Sequence, residues 1–152
     1  MHTILICGDI MPVSSLYMEA FAYATENLRK VRRAIMNILP PEATARANIR
    51  LEKVEGHYGD TITIVRLILS DKALVESTVR WIAERLSKED KEFLKNTIAL
   101  RIDESGNLYL RFSKQDAYKG SLHLKDRGDV IKVKIAFTND VIEECRRLGL
   151  IR

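Results

Sequence analysis

The strongest constraint on this chain is an apolar–polar alternation with a period of two that recurs along it. Leu16, Met18, Ala20 and Ala22 alternate with Tyr17, Glu19, Phe21 and Tyr23. Leu108, Leu110 and Phe112 alternate with Tyr109, Arg111 and Ser113, and Ile131, Val133, Ile135 and Phe137 with Lys132 and Lys134. Successive strand residues point to opposite faces, so each segment reads as a β-strand. Two further β-rich runs, Ile49 to Glu55 and Thr61 to Leu69, flank Glu55-Gly56-His57-Tyr58-Gly59-Asp60 and read as a hairpin.

Between the strands the period becomes helical. Leu28, Val31, Ile35 and Ile38 form a stripe capped by Thr25 and ended by Pro40-Pro41. Ser70-Asp71 caps a second stripe, Leu74, Val75, Thr78, Val79, Ile82 and Leu86. Ser87-x-x-Asp90 restarts a short helix through Phe93 and Leu94. Ile98, Leu100 and Ile102 read as one arm of a hairpin turning at Asp103–Asn107, although residues 97–101 also suit a prolonged helix. Lys114 to Gly120 reads as a helical turn, Leu122 to Leu124 as a small edge strand, and Asp126 to Asp129 as a turn. Thr138 caps a last helix carrying Val141, Ile142, Cys145 and Leu148, which Gly149 stops. Residues 1–14 have no periodicity and read as a loose leader or an extension from an upstream start. The expectation is one α+β domain over residues 15–152, a mostly antiparallel sheet with helices packed on one face.

With 152 residues the chain supports one core. Cys7 and Cys145 form no disulfide framework, which points to a reducing cytoplasm, and no run approaches the roughly 20 apolar residues of a membrane span. Gln115 is the sole glutamine amid abundant Lys, Glu and Arg, a hint of a thermophilic source.

Catalytic signatures are missing: there is no GxSxG, P-loop or GxGxxG. His2, His57 and His123 are scattered, and no cofactor is implied. Glu55, His57 and Asp60 are the one local set with acid/base or metal-binding chemistry, but turn residues there are more often structural punctuation.

Lys plus Arg exceed Asp plus Glu by 25 to 21, a surplus of four that permits an anionic partner without requiring one. Placement says more. Arg29, Arg32 and Arg33 share one ridge of the first helix, suited to phosphate oxygens or to a solvated face. If the strands holding Tyr109 and Arg111 and Lys132 and Lys134 are neighbours, their outward face offers one ring and three cations. Lys114, Gln115 and Tyr118 follow directly. A base stacks on Tyr while its phosphate meets Lys or Arg, the usual logic of RNA binding. Edge lysines that block aggregation give the same pattern.

Three segments, Glu55–Asp60, Asn107–Tyr118 and Asp129–Ile135, resemble an archaeal family of small proteins described as predicted exosome-subunit or RNA-binding proteins, with a fold similar to ribosomal protein L5. The resemblance spans about Leu16 to Phe137, its clearest signatures being the EGHYG hairpin and the LYLR-x-x-KQ-x-AY segment. It implies RNA binding more firmly than any reaction, in a cytoplasmic accessory of RNA processing or degradation. On that reading Arg29, Arg32 and Arg33 grip phosphates, and Arg111, Lys114, Lys132 and Lys134 form a second strip. Tyr58, Tyr109 and Tyr118 are stacking candidates, with His57 and Gln115 beside them; Lys114 and Gln115 are equally suited to anchoring the turn. The rival readings are a metal-dependent hydrolase or nuclease using Glu55, His57 and Asp60, and an interaction module that homodimerises through Tyr17, Phe21 and Tyr23.

Overall fold

The first alternating segment is the centre of the sheet. In the computed structural model, which describes residues 13–152, β1 (Val13–Ala22) is flanked by β3 (Thr61–Leu69) and β5 (Val130–Phe137). β2 (Asn48–Glu55) lies outside β3 and β4 (Asn107–Ser113) outside β5, giving the order β2-β3-β1-β5-β4 with every pairing antiparallel. Register aligns the apolar positions across strands: Met18 lies opposite Leu67 on one side and Val133 on the other, and Leu110 opposite Val133. One face of the sheet is therefore continuous hydrocarbon, and the helices pack there.

Those helices are α1 (Leu28–Met36), α2 (Pro41–Thr44), α3 (Lys72–Arg85), α4 (Lys88–Thr97), α5 (Lys114–Tyr118) and α6 (Val141–Leu148). Val31 and Ile35 of α1 and Val75, Val79 and Ile82 of α3 meet Leu16, Met18, Val65, Leu67, Leu108, Leu110, Phe112 and Ile135 in one core. All but Val31, which is 2% exposed, are inaccessible to solvent. Truncating any of the larger ones to Ala costs about 2–5 kcal/mol. Caps fix the helix starts: Asn27, Asp71, Ser87 and Asp140 accept backbone N–H groups of the first turns. Gly149, at φ 89°, supplies the left-handed residue that ends α6.

The structure departs from the sequence reading in several places. α1 is capped by Asn27 and not Thr25, because Tyr23 to Glu26 form a turn closed by Glu26 N–H on Tyr23 O. Asp140 replaces Thr138 as the cap of α6. Pro41 does not merely terminate; it opens α2, where a missing N–H costs nothing. Residues 98–101 are a 3₁₀ turn continuing α4, and only Ile102 bridges to Leu108. Ile98 is buried one turn beyond Leu94 whereas Leu100 is 89% exposed, so the spacing that mattered was helical. The expected strand at 122–124 is a single bridge, Phe112 to Leu124. Val13 and Ser14 belong to β1, and the rest of the expected leader, residues 1–12, lies outside the described residues. Among the described residues no helix is long and apolar enough to cross a membrane.

Candidate nucleic-acid interface

Because the helices occupy one face, the residues between the core positions emerge on the other. Register arranges them in rows across the strands. One row is Asn48, Ile68, Tyr17, Lys134 and Tyr109; the next is Arg50, Arg66, Glu19, Lys132 and Arg111. The expected neighbourhood of Tyr109, Arg111, Lys132 and Lys134 is thus present: Tyr109 pairs with Lys134 and Arg111 with Lys132.

The acids of this face are already engaged. Arg66 pairs with Glu52, lies 3.9 Å from Glu19, and donates to the Tyr17 hydroxyl at 2.9 Å. Tyr17 in turn donates to Glu19 at 2.9 Å, and burial followed by that carboxylate raises the phenol's pKa. Arg50, Arg111, Lys132 and Lys134 have no ion pair among the described residues, and Arg111 donates only to the Asp126 carbonyl at 3.1 Å. Tyr109 is half exposed, its ring fixed by a 2.8 Å hydrogen bond to Asp103. Hydrogen bonds from the Asn107 side chain and backbone, with help from Tyr109 and Ser105, hold the Asp103 carboxyl at about 2. That ionised acceptor raises the Tyr109 pKa. A cleft of about 520 Å³ opens beside Tyr109, Arg111 and Lys132, with Leu100 and Arg101 on its far wall.

The arginine ridge stands on the opposite side. Arg29, Arg32 and Arg33 are exposed on α1 and have no ion pair among the described residues; the first turn, which holds Arg29, contains no acid, and Arg33 lies in the last turn. A cation near a helix N-terminus opposes the macrodipole, so Arg29 adds positive potential there at some cost in stability, whereas Arg33 at the other end is favourably placed. α5 packs alongside. Asn37 donates to the carbonyls of Ala117 and Tyr118 at 2.9 and 3.2 Å, and Arg85 ties Asn37 O to Gly120 O. Between the two helices lies a cleft of about 290 Å³ lined by Lys30, Gln115, Tyr118 and Lys119, with the Lys30 ammonium 5.6 Å from the Tyr118 ring centre.

Lys114 is corrected. It does not join the open strip, because its side chain is buried and all three ammonium protons are directed at acceptors. It donates to Phe21 O at 2.8 Å and pairs with Glu26 at 2.8 Å and Asp129 at 2.7 Å. The residue anchors the end of β4 to the end of β1. His57 and Tyr58 crown the β2–β3 hairpin, edge to face at 5.0 Å, with Tyr58 89% exposed. Gly59, at φ 83°, makes that turn. Glu55, His57 and Asp60 are not gathered: no group of three or more His, Cys, Asp or Glu among the described residues is placed to hold a metal ion.

Sequence reasoning passed over Lys30, Arg50 and the rings of Phe21 and Tyr23 as binding groups. Lys30 was legible beside its arginine neighbours. Phe21 on β1 and Tyr23 just past its end keep the alternation, but only the strand order brings them to Lys132, whose ammonium sits 5.9 Å from the Phe21 ring centre.

A five-stranded antiparallel sheet with helices on one face and, on the other, cations without an ion pair among the described residues set beside rings defines a single-domain α+β protein with an open basic sheet. The chain belongs to the family described as RNA binding, whose model matches residues 15–137. It is 30% identical over 122 residues to RNA-binding protein PAB1135 of Pyrococcus abyssi, covering 80% of this chain and 79% of that one. An uncharacterized protein of Methanocaldococcus jannaschii, MJ0213, is 30% identical over 129 residues, covering 82% and 85%. Among solved structures, protein AF2318 of Archaeoglobus fulgidus superposes with a TM-score of 0.77 at 30% identity, over 90% of this chain and 99% of that one.

Proposed function

We propose that this protein binds RNA without acting on it chemically, as a cytoplasmic accessory of archaeal RNA processing or degradation. What supports the reading most is the open sheet face, where Arg111, Lys132 and Lys134 have no acidic partner among the described residues and stand beside the fixed ring of Tyr109. Family membership and the name of the Pyrococcus relative point the same way. Association with exosome proteins rests on the family resemblance, and recovery of exosome subunits with the tagged protein after nuclease treatment tests it.

Phosphate contacts release counterions, so affinity falls with salt in proportion to their number. The test is an anisotropy titration of labelled RNA at several salt concentrations. Arg111→Ala with Lys132→Ala should lower affinity evenly across sequences and flatten the log–log salt slope by roughly 0.7 for each lost contact to a single strand. An unchanged slope would sink the open face as the phosphate-binding surface.

A further inference from the structure

Three hollows follow one another along the sheet and over its end, and each shares a wall residue with the next. The 520 Å³ cleft at Tyr109 and Arg111 ends at Lys132. Lys132 also walls a hollow of about 150 Å³ containing Phe21 and Tyr23. Tyr23 then walls a third, of about 250 Å³, with His57 and Tyr58 opposite. Rings line the whole path: Phe21 meets Tyr23 edge to face at 6.3 Å, and His57 meets Tyr58 likewise. Tyr23 is 43% exposed and Tyr58 89%.

Most acids along the path are occupied. Asp126 is held by both arms of Arg101 at 3.0 Å, Asp129 by Lys114, and Glu19 by Tyr17 and Arg66. Asp60 has no ion pair among the described residues, which places the phosphate contacts at the Lys132 end and leaves stacking to dominate at the hairpin.

We infer that these hollows form one track for single-stranded RNA, with Tyr109, the Phe21–Tyr23 pair and the His57–Tyr58 pair as successive base platforms and Arg111, Lys132 and Lys134 on its phosphates. The inference rests on the RNA-binding reading and adds strandedness, a path and two binding residues, Phe21 and Tyr23. Spacing carries it. Tyr109 shares the row of Tyr17, two rows along the strands and two strands across from Phe21, a separation on the order of 15 Å, so bases seated on these two rings cannot be neighbours in one stack with a rise of about 3.4 Å. A duplex keeps its bases stacked and paired, and its stiffness prevents it from turning over the end of one small sheet. Aromatic faces accept any base, so the track carries little sequence preference.

The full chain is titrated with fluorescein-labelled decauridylate and with an RNA hairpin duplex of equal charge, at one salt concentration and then across several. The wild type is expected to prefer the single strand. Tyr23→Ala should weaken decauridylate binding about 5- to 150-fold, the worth of one stacked base, while leaving the salt slope and duplex affinity unchanged. Tyr23→Phe should retain binding. Tyr58→Ala, at a position too exposed to affect folding, should reproduce the loss. If RNA binds but both alanine variants keep wild-type affinity for the single strand, or the duplex binds as well or better, the track is wrong while RNA binding stands. Binding of neither RNA would overturn the functional reading itself.

Discussion

Lys114 and Asp103 set the rigid ends of the open face by opposite means. Lys114 brings a charge into the interior and satisfies it completely. Removing one member of a buried pair typically costs about 3–5 kcal/mol, because the partners are left uncompensated. Glu26 and Asp129 keep some solvent, so Lys114→Met should fall at the lower end of that range, read as a shift in the urea midpoint. Asp103 works at the surface. Its carboxyl is held at about 2 against an ordinary 3.8, so its contribution is complete above about pH 4. That contribution fades as pH falls through about 2. The Asn107 amide should shift in NMR spectra across that window, and Asp103→Asn should abolish the dependence. Asp103 was legible as a turn residue; its grip on Tyr109 was not, because that hydrogen bond exists only once β4 leaves the turn with its outward side chains on the same side as Asp103.

Among the elements, α1 shows a conflict between stability and charge. Arg29 in a first turn that holds no acid leaves the helix N-terminus electrostatically unfavourable. Arg29→Glu should therefore stabilise the fold by about 0.3–1 kcal/mol in thermal melts, if the ridge serves something other than folding. An unchanged or lower melting temperature would mean that Arg29 has a structural role. The ridge itself was readable from helical spacing, as were the strands at 16–22, 61–69, 108–112 and 130–137. The segment at 98–102 was not. Its residues alternate like a strand, but Leu94 and Ile98 form one helical stripe and Arg101 is fastened to Asp126, Thr97 and the Phe93 ring. Local pattern was ambiguous there, and tertiary contacts decided it.

Across the whole molecule, the sheet separates what composition had added together. The cations of α1 and those of β4 and β5 lie on opposite sides of the sheet, joined around its end where Tyr23, Lys114 and the β2–β3 hairpin come together. Burial elsewhere is thorough enough to silence chemistry: the Cys145 thiol, wholly enclosed, is pushed up to about 12 by desolvation and by Glu144 and Asp140. In a Cys7→Ser variant, native protein at pH 8 should resist iodoacetamide, and labelling should appear only in denaturant; rapid native labelling would contradict this packing. The sequence by itself determined the five strands of the sheet, most helices and the antiparallel class, because each follows from period along a few neighbouring residues. Only the tertiary structure decided which cations are free, since Lys114 is indistinguishable from Lys132 until Glu26 and Asp129 close on it. It also decided that Phe21 and Tyr23 stand beside Lys132, because strand order is a contest among distant pairings that no local pattern records.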